Sequence, residues 1–559
     1  MPEKGPKLPS ELTVHLESYR EQPWVEDITA FGREQGVPIS KCDAKLINRD
    51  RIRPHFWQDM EEVSRESCDM AFDLFDRYGR VERKYIEPGF RQGSGVWGRE
   101  LDHGDILLIE KLRVESEARR RGVGTKVAHA VLDHVRGSAG HRKYVAVVGP
   151  GIVLQDADET DRDEAMGALA TSKRFWRSLG FRRIGTSPWF AFTDQVDHPS
   201  RQLDISKEWD PPQHTGAYNA MLEHVRQVIT SVLRIRAPNA ETLRQLEEAL
   251  PGNAEDERWF ATDEEGNTVL HLAAMNGSLE VVKCIVTRCP SLATARNRDG
   301  DTPLEALQTV MEQLRTRKGY LDMLEVVSDR FTGFGPRSIT CAGFLSGADV
   351  FDLTKFSREE ITQMSFATDD EARLIHPEVD TIHHTLRIRY GCTCGECIGG
   401  FLSPRMRRML IEQAAIQRDE DELMPEDDDC MDQGKEILSK PFTECLQKRM
   451  IPSEDNILDL VSDEEQPVLE AFLEEGGTVN HQISTIFQRI LDSDDWERLL
   501  RNDPQVTDLY KELPECRNDL ELGFVSGTCG YKRVSPGRPY YHDRLLDEEE
   551  EGEEDDDDY

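Results

Sequence analysis

The segment from Leu107 to Thr125 holds the residues of this chain that are best suited to bind an anionic ligand. An apolar run, Leu107 to Val114, is followed by the basic turn Arg119-Arg120-Arg121-Gly122-Val123-Gly124-Thr125. Apolar residues then recur at helical spacing from Ala128 to Val135. A strand, a glycine turn and a helix N-terminus point free backbone N–H groups at one spot, which suits a phosphate or pyrophosphate. The arginines add charge-assisted hydrogen bonds, and the glycines leave room for the ligand.

The neighbouring segments predict the α/β elements that would position this turn. Strands are expected at 44–48, 80–86, 94–98 and 106–114, the last two as a hairpin, and helices are expected within 56–78. The β-branched run Lys143 to Gly151 predicts a buried strand. Phe175-Trp176-Arg177-Ser178-Leu179-Gly180-Phe181 predicts a helix that ends at glycine, and a closing hairpin is expected over 182–192. This order predicts an α/β domain with a mixed central sheet.

Arg119-x-x-Gly122-x-Gly124 and the Phe175–Phe181 segment together resemble the two signatures of the GNAT superfamily of N-acetyltransferases. The resemblance covers about residues 40–195 and implies a domain that transfers an acetyl group from acetyl-CoA to an amine. It implies that the N–H groups of residues 119–125 hold the pyrophosphate. It also implies that the strand ending at Leu112, Arg113 and Val114 pairs with the pantetheine amides.

Glu110 is the candidate general base. It lies four residues before Val114, so it is expected to share a sheet face with Leu108, Leu112 and Val114. Partial desolvation there would raise its pKa towards the useful range. The alternative is a structural carboxylate that is paired with an arginine or lies on an open face.

Two positions depart from the family pattern. Trp176 stands where many members have a tyrosine that protonates the leaving thiolate, and Leu169 stands where asparagine is common. The indole of Trp176 offers only a weak N–H donor, so this position lacks the tyrosine hydroxyl that would act as general acid. A catalytically weak or inactive acetyltransferase fold that serves as an interaction scaffold is therefore the alternative to an active enzyme.

Two later segments match the start of an ankyrin repeat. They begin at Gly266-Asn267-Thr268 and at Gly300-Asp301-Thr302, 34 residues apart, close to the usual period of about 33. His271 is assigned a structural role in knitting the repeats together. Helices at 218–250 and 307–328 are expected to cap the array, because two repeats alone bury too little core. Such repeats indicate docking of a protein partner.

Cys392, Cys394 and Cys397 form a Cys-x-Cys-x-x-Cys pattern. Three thiolates could bind zinc with a fourth ligand from elsewhere, for which Cys341, His383 and His384 are the candidates. Buried free thiols in a glycine-rich turn are the alternative. The sequence leaves these two interpretations open, and no metal ligand is assigned from it.

The chain is acidic throughout. Its formal net charge is −38, and the eleven carboxylates of Asp547 to Tyr559 account for only part of it, since −27 remains without them. Such a surface disfavours nucleic acid and anionic membranes and favours a basic partner or acceptor, although solubility alone would also explain it. With scattered cysteines, no apolar signal core and no membrane-length apolar run, we predict an intracellular protein, cytoplasmic or alternatively nuclear.

The predicted organisation is multidomain, with mostly helical regions after the α/β domain. The segments are a helical leader (1–40), the acetyl-CoA-binding domain (41–195), a linker (196–212), ankyrin-type helical repeats (213–335), a cysteine-containing domain (336–418), an acidic linker (419–433), a helical region (434–545) and a disordered acidic tail (546–559).

Overall fold

The structure is a computed structural model, and it describes residues 12–138, 143–151, 162–210, 244, 251–263, 265–320, 323–357, 360–361, 378–423, 430–492 and 509–536. The chain divides into two compact units, residues 1–213 with 298–300, and residues 214–297 with 301–559. The helices predicted at 218–250 and the acidic tail lie outside the described residues, apart from position 244. No helix of the described residues has the length and apolar character needed to cross a bilayer.

The first unit is built on a seven-stranded mixed sheet, which confirms the expected architecture. Its strands are β1 (Leu12–Gln22), β2 (Val25–Glu34), β3 (Val37–Ile47), β4 (Asp105–Val114), β5 (Tyr144–Val148), β6 (Arg182–Arg183) and β7 (Phe190–Phe192). Their order in the sheet is β1-β2-β3-β4-β5-β7-β6. Only β4 and β5 run parallel, and the other neighbours are antiparallel.

Five helices accompany this sheet: α1 (Phe56–Val63), α2 (Arg65–Leu74), α3 (Val123–Ser138), α4 (Arg162–Ser178) and α5 (Pro199–Gln202). One face of α3, including Val127, Val131 and Val135, is fully buried against β2, β3 and β4. Leu107 and Ile109 of β4 pack into the same core, because alternate residues of a strand point to the same face of the sheet. This packing fixes where the turn between β4 and α3 lies.

The predicted helical leader is wrong for residues 12–40, which form β1, β2 and the start of β3. Apolar residues recur there with a period of two, as at Ile28 and Ala30, and not with the period of a helix. Gln35 and Gly36 join β2 to β3 with φ values of 52° and 83°. Two positive φ values are those of a type I′ hairpin turn. A Gln-Gly pair is a weaker signal for this turn than Asn-Gly.

Two predicted strands before β4 are also wrong. Residues 80–86 make a single bridge, Phe75 with Val81, followed by a short 3₁₀ turn, and residues 94–98 form no strand. The partner of β4 is instead β3, whose Ile47 pairs with Ile106. The helices predicted within 56–78 are confirmed as α1 and α2.

Arg49 holds the irregular segments together before β4. Its side chain is fully buried and donates to the carbonyl groups of Gly79 at 3.0 Å, Gly104 at 3.0 and 3.2 Å, and Leu101. Burial lowers the pKa of Arg49 to about 10, so the guanidinium stays charged at neutral pH. One side chain thus satisfies carbonyl groups from three separate loop positions.

The predicted linker at 196–212 is wrong as far as residue 210. Glu208 is buried, pairs with Arg177 and accepts from the backbone N–H of Arg183 at 2.6 Å. Asp210 pairs with both arginines at 2.8 Å. These ion pairs bind the segment to α4 and β6, so it belongs to the first unit.

In its described residues, the second unit contains the ankyrin-type helices followed by further helices. Its helices are α6 (Val269–Met275), α7 (Leu279–Arg288), α8 (Pro303–Thr316), α9 (Pro336–Ser346), α10 (Val379–Arg389), α11 (Pro404–Leu423), α12 (Cys430–Gln447), α13 (Glu454–Leu458), α14 (Gln466–Glu474), α15 (Val479–Asp492) and α16 (Leu522–Cys529). A hairpin, β8 (Arg317–Tyr320) and β9 (Met323–Val326), follows α8. The helix predicted at 307–328 therefore ends at Thr316.

The predicted boundary between residues 336–418 and 434–545 is wrong. One apolar core contains Leu402 and Leu410 from before the acidic segment and Leu438, Phe487 and Phe524 from after it. α11 extends to Leu423 and α12 begins at Cys430, so the ends of the predicted acidic linker are helical. A shared core means that both segments fold as one body.

Candidate functional site

A β-bulge in β4 positions Glu110, the candidate general base. Asp43 of β3 pairs with Lys111 and Ala44 pairs with Ile109, so Glu110 is the extra residue between two regular pairs. The extra residue reverses which sheet face each later side chain of β4 points to. Leu112 and Val114 therefore pack on the α3 side of the sheet, and the expectation that they share a face with Glu110 is wrong.

The edge of β4 beyond the bulge has no strand partner on the β5 side. β5 pairs with β4 from Asp105 to Ile109 only and then ends at Val148, before Gly149-Pro150-Gly151. Among the described residues, no strand pairs with the stretch from Glu110 to Val114 on that side. Glu115 donates its backbone N–H to Ile39 of β3, so alternation turns the backbone groups of Arg113 towards β3 and those of Leu112 and Val114 towards this edge. Leu112 and the N–H of Val114 could there bind an extended ligand.

The basic turn leads from this open edge into α3. Arg120 and Gly122 have φ values of 60° and 78°, so the turn uses left-handed backbone at two positions. The first N–H groups of any helix have no partner inside it. In the part of the chain that the structure describes, the N–H groups of residues 122–125 donate to no carbonyl outside α3. Gly122, Val123, Gly124 and Thr125 thus present donors beside the positive end of the helix dipole.

The two glycines of the turn have different tasks. A Cβ atom on Gly124 would lie 3.4 Å from Phe175 and from Val114, so this glycine faces the junction of helix and strand. The sequence interpretation that Gly124 leaves room for the ligand is therefore wrong. Gly122 is required by its positive φ instead, since a side chain there costs about 1–2 kcal/mol.

The three arginines of the turn are held differently. Arg121 pairs with Glu34 at 2.6 Å, and the Nε atom of Arg119 donates to the carbonyl of Val114 at 2.9 Å. Arg120 is exposed and forms no ion pair with the described residues. Its guanidinium is therefore the one best placed to bind an incoming anion.

Glu110 is half-buried and hydrogen-bonded. Burial raises the pKa of Glu110 above its usual value, against the opposing effects of the Ser64 hydroxyl and of nearby Lys45. Ser64 Oγ donates to Oε1 of Glu110 at 2.5 Å, and Ser64 is itself the N-cap of α2. No arginine is paired with this carboxylate in the described structure, contrary to the alternative considered from sequence. A carboxylate with a raised pKa in a partly dry site can accept a proton from an amine.

Trp176 is a core residue. It is 5% exposed, and its ring lies 5.0 Å from Phe175 and 5.1 Å from Phe181, between centroids. Leu169 of α4 is only partly buried. Neither side chain offers a hydroxyl or amide group at the site.

In the ankyrin-type segment, His271 links the two repeats. The backbone N–H of Thr268 donates to Nδ1 at 3.2 Å, so Nε2 carries the proton and donates to the carbonyl of Asp301 at 2.8 Å. The ring is fully buried, which lowers the pKa of His271 and keeps it neutral. The predicted structural role is thus what the geometry shows.

A second candidate site is formed by four cysteines. The Sγ atoms of Cys392, Cys394, Cys397 and Cys516 all lie within 4.8 Å of one another. Cys392 and Cys394 are half-buried, whereas Cys397 and Cys516 are buried. Hydrogen bonds from the other sulfurs lower the pKa of Cys516 and raise that of Cys397.

The fourth member of this cluster was not among the candidates from sequence. Cys341 lies in the ankyrin-side core, packed with Leu270 and Val281, and His383 and His384 lie outside the cluster. Cys516 is 119 residues from Cys397 along the chain. No local spacing could have identified it.

The comparisons with known proteins identify one element of the chain. The family model of the ankyrin repeat matches residues 265–298. This match confirms the first of the two predicted repeats and gives the second unit a protein-interaction module. No acetyltransferase family model matches the first unit. No curated protein and no solved structure matches the chain.

Proposed function

We propose that the first unit is an acetyl-CoA-dependent N-acetyltransferase and that the ankyrin repeats dock a protein partner. The observation that carries the proposal is the continuity of three features along one stretch of chain. These are the bulge at Glu110, the unpaired edge to Val114, and the turn with free N–H groups at the start of α3. The acceptor amine belongs to a small molecule, a peptide or a basic protein, the last being favoured by the acidic surface.

Each feature has a distinct task in this proposal. When bound, acetyl-CoA supplies an activated thioester, so the protein has to align two reactants and move one proton. The edge at Leu112 and Val114, which flank Arg113, binds the pantetheine amides, and residues 119–125 bind the pyrophosphate. The extra N–H group at the bulge polarises the thioester carbonyl. Glu110 accepts the proton of the amine at its carboxylate, and water protonates the departing thiolate, because Trp176 is buried in the core.

A specific observation favours the second candidate, a scaffold that keeps the fold without turnover. Trp176 fills the core where the family has a hydroxyl, and the ankyrin match concerns protein interaction alone. Calorimetric titration of the full chain with acetyl-CoA, followed by an acetylation screen over amines and basic peptides, separates the candidates. Binding with turnover supports the enzyme, and binding without turnover on any acceptor supports the scaffold. Absence of binding contradicts the acetyl-CoA site itself.

Arg120→Glu is expected to weaken binding of coenzyme A at least tenfold. The variant removes an exposed cation from the turn and places a carboxylate beside the pyrophosphate. A charge-assisted hydrogen bond contributes about 1.5–3 kcal/mol, and about 1.4 kcal/mol corresponds to a factor of ten. Isothermal titration calorimetry measures the change. Arg65→Glu is the matched control, because Arg65 is an exposed arginine on α2 of the same unit. Equal affinities of the two variants would contradict the assignment of this turn.

Glu110→Gln is expected to lower turnover about 10²–10⁴-fold at neutral pH and less at high pH. In the parent, the rate should rise as pH increases through the raised pKa of Glu110, because only the ionised carboxylate accepts a proton. Glutamine cannot accept it, so the rise disappears, whereas alkaline solution deprotonates the amine without a base. The measurement is a pH–rate profile, with Glu17→Gln as control, because Glu17 is an exposed carboxylate on β1. A profile for Glu110→Gln that superimposes on the parent would remove Glu110 from the mechanism.

A further inference from the structure

The four sulfur atoms have the spacing of ligands around one metal ion. Neighbouring Sγ atoms are 3.7 Å apart between Cys392 and Cys394, 3.7 Å between Cys394 and Cys397, and 3.5 Å between Cys397 and Cys516. These separations are far above the roughly 2.05 Å of a disulfide. A tetrahedral Zn²⁺ with Zn–S bonds of about 2.3 Å has sulfurs about 3.8 Å apart. The cluster therefore has nearly the dimensions of a zinc site.

Backbone donors surround the sulfurs as they do around thiolate ligands. The N–H of Thr393 donates to Cys516 at 3.4 Å, and the N–H of Glu396 donates to Cys394 at 3.4 Å. Gly395 has a φ of 75°, which turns the chain so that Cys394 and Cys397 face the same point. Hydrogen bonds of this kind orient metal ligands and offset their negative charge.

The segment that carries Cys516 is fixed in place by polar contacts of its own. The backbone N–H of Cys516 donates to Asp519 at 3.0 Å, and Ser403 donates to the other carboxylate oxygen of Asp519 at 2.7 Å. The N–H of Arg517 donates to the hydroxyl of Thr393 at 3.0 Å. Hydrogen bonds of Cys516 and of the next residue, Arg517, thus hold the fourth thiol beside the Cys-x-Cys-x-x-Cys loop.

Other buried cysteines of the second unit behave differently. Cys341 lies in an apolar core, where burial raises its pKa to about 12, and Cys445 donates to the carbonyl of Asn456 at 3.4 Å. Each of them is a small core side chain that does not belong to the group of four converging thiols. Convergence of four thiols on one point is therefore a local property that core packing does not require.

We propose that Cys392, Cys394, Cys397 and Cys516 bind one Zn²⁺ as a structural site. Four thiolates complete the tetrahedron, so no coordination position is left open for a substrate, and a catalytic role is excluded by this geometry. An iron–sulfur cluster also uses four thiolates, but its inorganic core would hold the sulfurs farther apart than one ion does. The proposal is independent of acetyl transfer by the first unit.

The ion would join two parts of the chain that are 119 residues apart. It closes the loop before α11 onto the segment before α16, at the edge of the shared core. Because metal binding requires the folded arrangement of these ligands, it stabilises that arrangement. Removal of zinc should therefore loosen the second unit without acting on the first.

The test is metal analysis of the full chain purified without chelators from zinc-supplied cells. Inductively coupled plasma mass spectrometry should find one zinc per chain in the parent and in Cys341→Ala, and less than a tenth of that in Cys516→Ala. Cys341→Ala is the matched control, since it removes a buried thiol outside the cluster and was the alternative fourth ligand from sequence. Loss of zinc from Cys341→Ala and not from Cys516→Ala would overturn the assignment.

Two further readouts do not depend on whether the Cys516 variant folds. Reduced, metal-free parent protein titrated with Co²⁺ should develop the absorption bands of tetrahedral thiolate coordination at one equivalent, and Zn²⁺ should displace them. A chelator should lower the unfolding temperature of the zinc-loaded parent. A parent protein that purifies without stoichiometric zinc and takes up neither ion would overturn the proposal, and iron in place of zinc would overturn the choice of metal.

Discussion

Arg315→Met is expected to lower the free energy of unfolding of the second unit by about 3–5 kcal/mol, the cost of breaking a buried ion pair from one side. The Arg315 side chain is fully buried and donates to Oδ1 of Asn518 at 2.7 Å. The carboxylates of Glu312 and Glu521 lie 3.7 Å from its guanidinium. Methionine fills much of the volume but removes the cation that lies beside the buried Glu521, whereas Glu312 keeps its ion pair with Arg517 at 3.3 Å.

Urea unfolding followed by far-ultraviolet circular dichroism measures this loss. Arg330→Met is the matched control, because Arg330 is an exposed arginine after β9 whose ion pair with Glu325 lies at the surface. Exposed pairs contribute about 0–1 kcal/mol, so the control should unfold close to the parent. Arg315→Met combined with Glu521→Leu should recover part of the loss, since the pair is then replaced by apolar groups. Equal midpoints for Arg315→Met and Arg330→Met would show that the buried pair does not stabilise the fold.

Arg49→Met is expected to destabilise the first unit by at least about 3 kcal/mol. The buried carbonyl groups of Gly79 and Leu101 and the partly buried one of Gly104 would lose their donor. Each unsatisfied buried group costs about 1–3 kcal/mol. Since Gly104 directly precedes β4, the effect should extend to the strand that carries Glu110.

Hydrogen exchange with mass spectrometry localises this effect. Peptides from 79–104 and from β4 should exchange faster in Arg49→Met, whereas peptides from the second unit should be unchanged. Arg51→Met is the control, because Arg51 is exposed and makes one hydrogen bond, to the carbonyl of Pro23. Parent-like protection of 79–104 in Arg49→Met would contradict the assigned anchoring role.

Local signals in the sequence predicted the elements around the basic turn. The apolar run to Val114, the two-glycine turn and the helical spacing after it correspond to β4, the turn and α3. His271 was also predictable, because the ankyrin pattern fixes both its partners and its burial. In each case a short stretch of sequence is sufficient to predict the local structure.

Features that depend on distant pairing could not be predicted in the same way. The bulge at Glu110 arises from the register between β3 and β4, and a one-residue shift moves Leu112 to the other face. Cys516 meets Cys397 only through the shared core, and Glu208 joins the first unit only through Arg177 and Arg183. Such contacts are set by tertiary structure and leave no periodic trace in the sequence.

The core shared across residues 398–534 decides how this chain can be divided for experiments. A fragment that ends at residue 418, where composition places a boundary, would expose Leu402 and Leu410 to water and would lack both Cys516 and the Asn518 partner of Arg315. A fragment that starts after it would lack the other half of the same interior. Useful truncations therefore keep 251–536 intact, because Trp259 is fully buried in the core of the ankyrin-type helices.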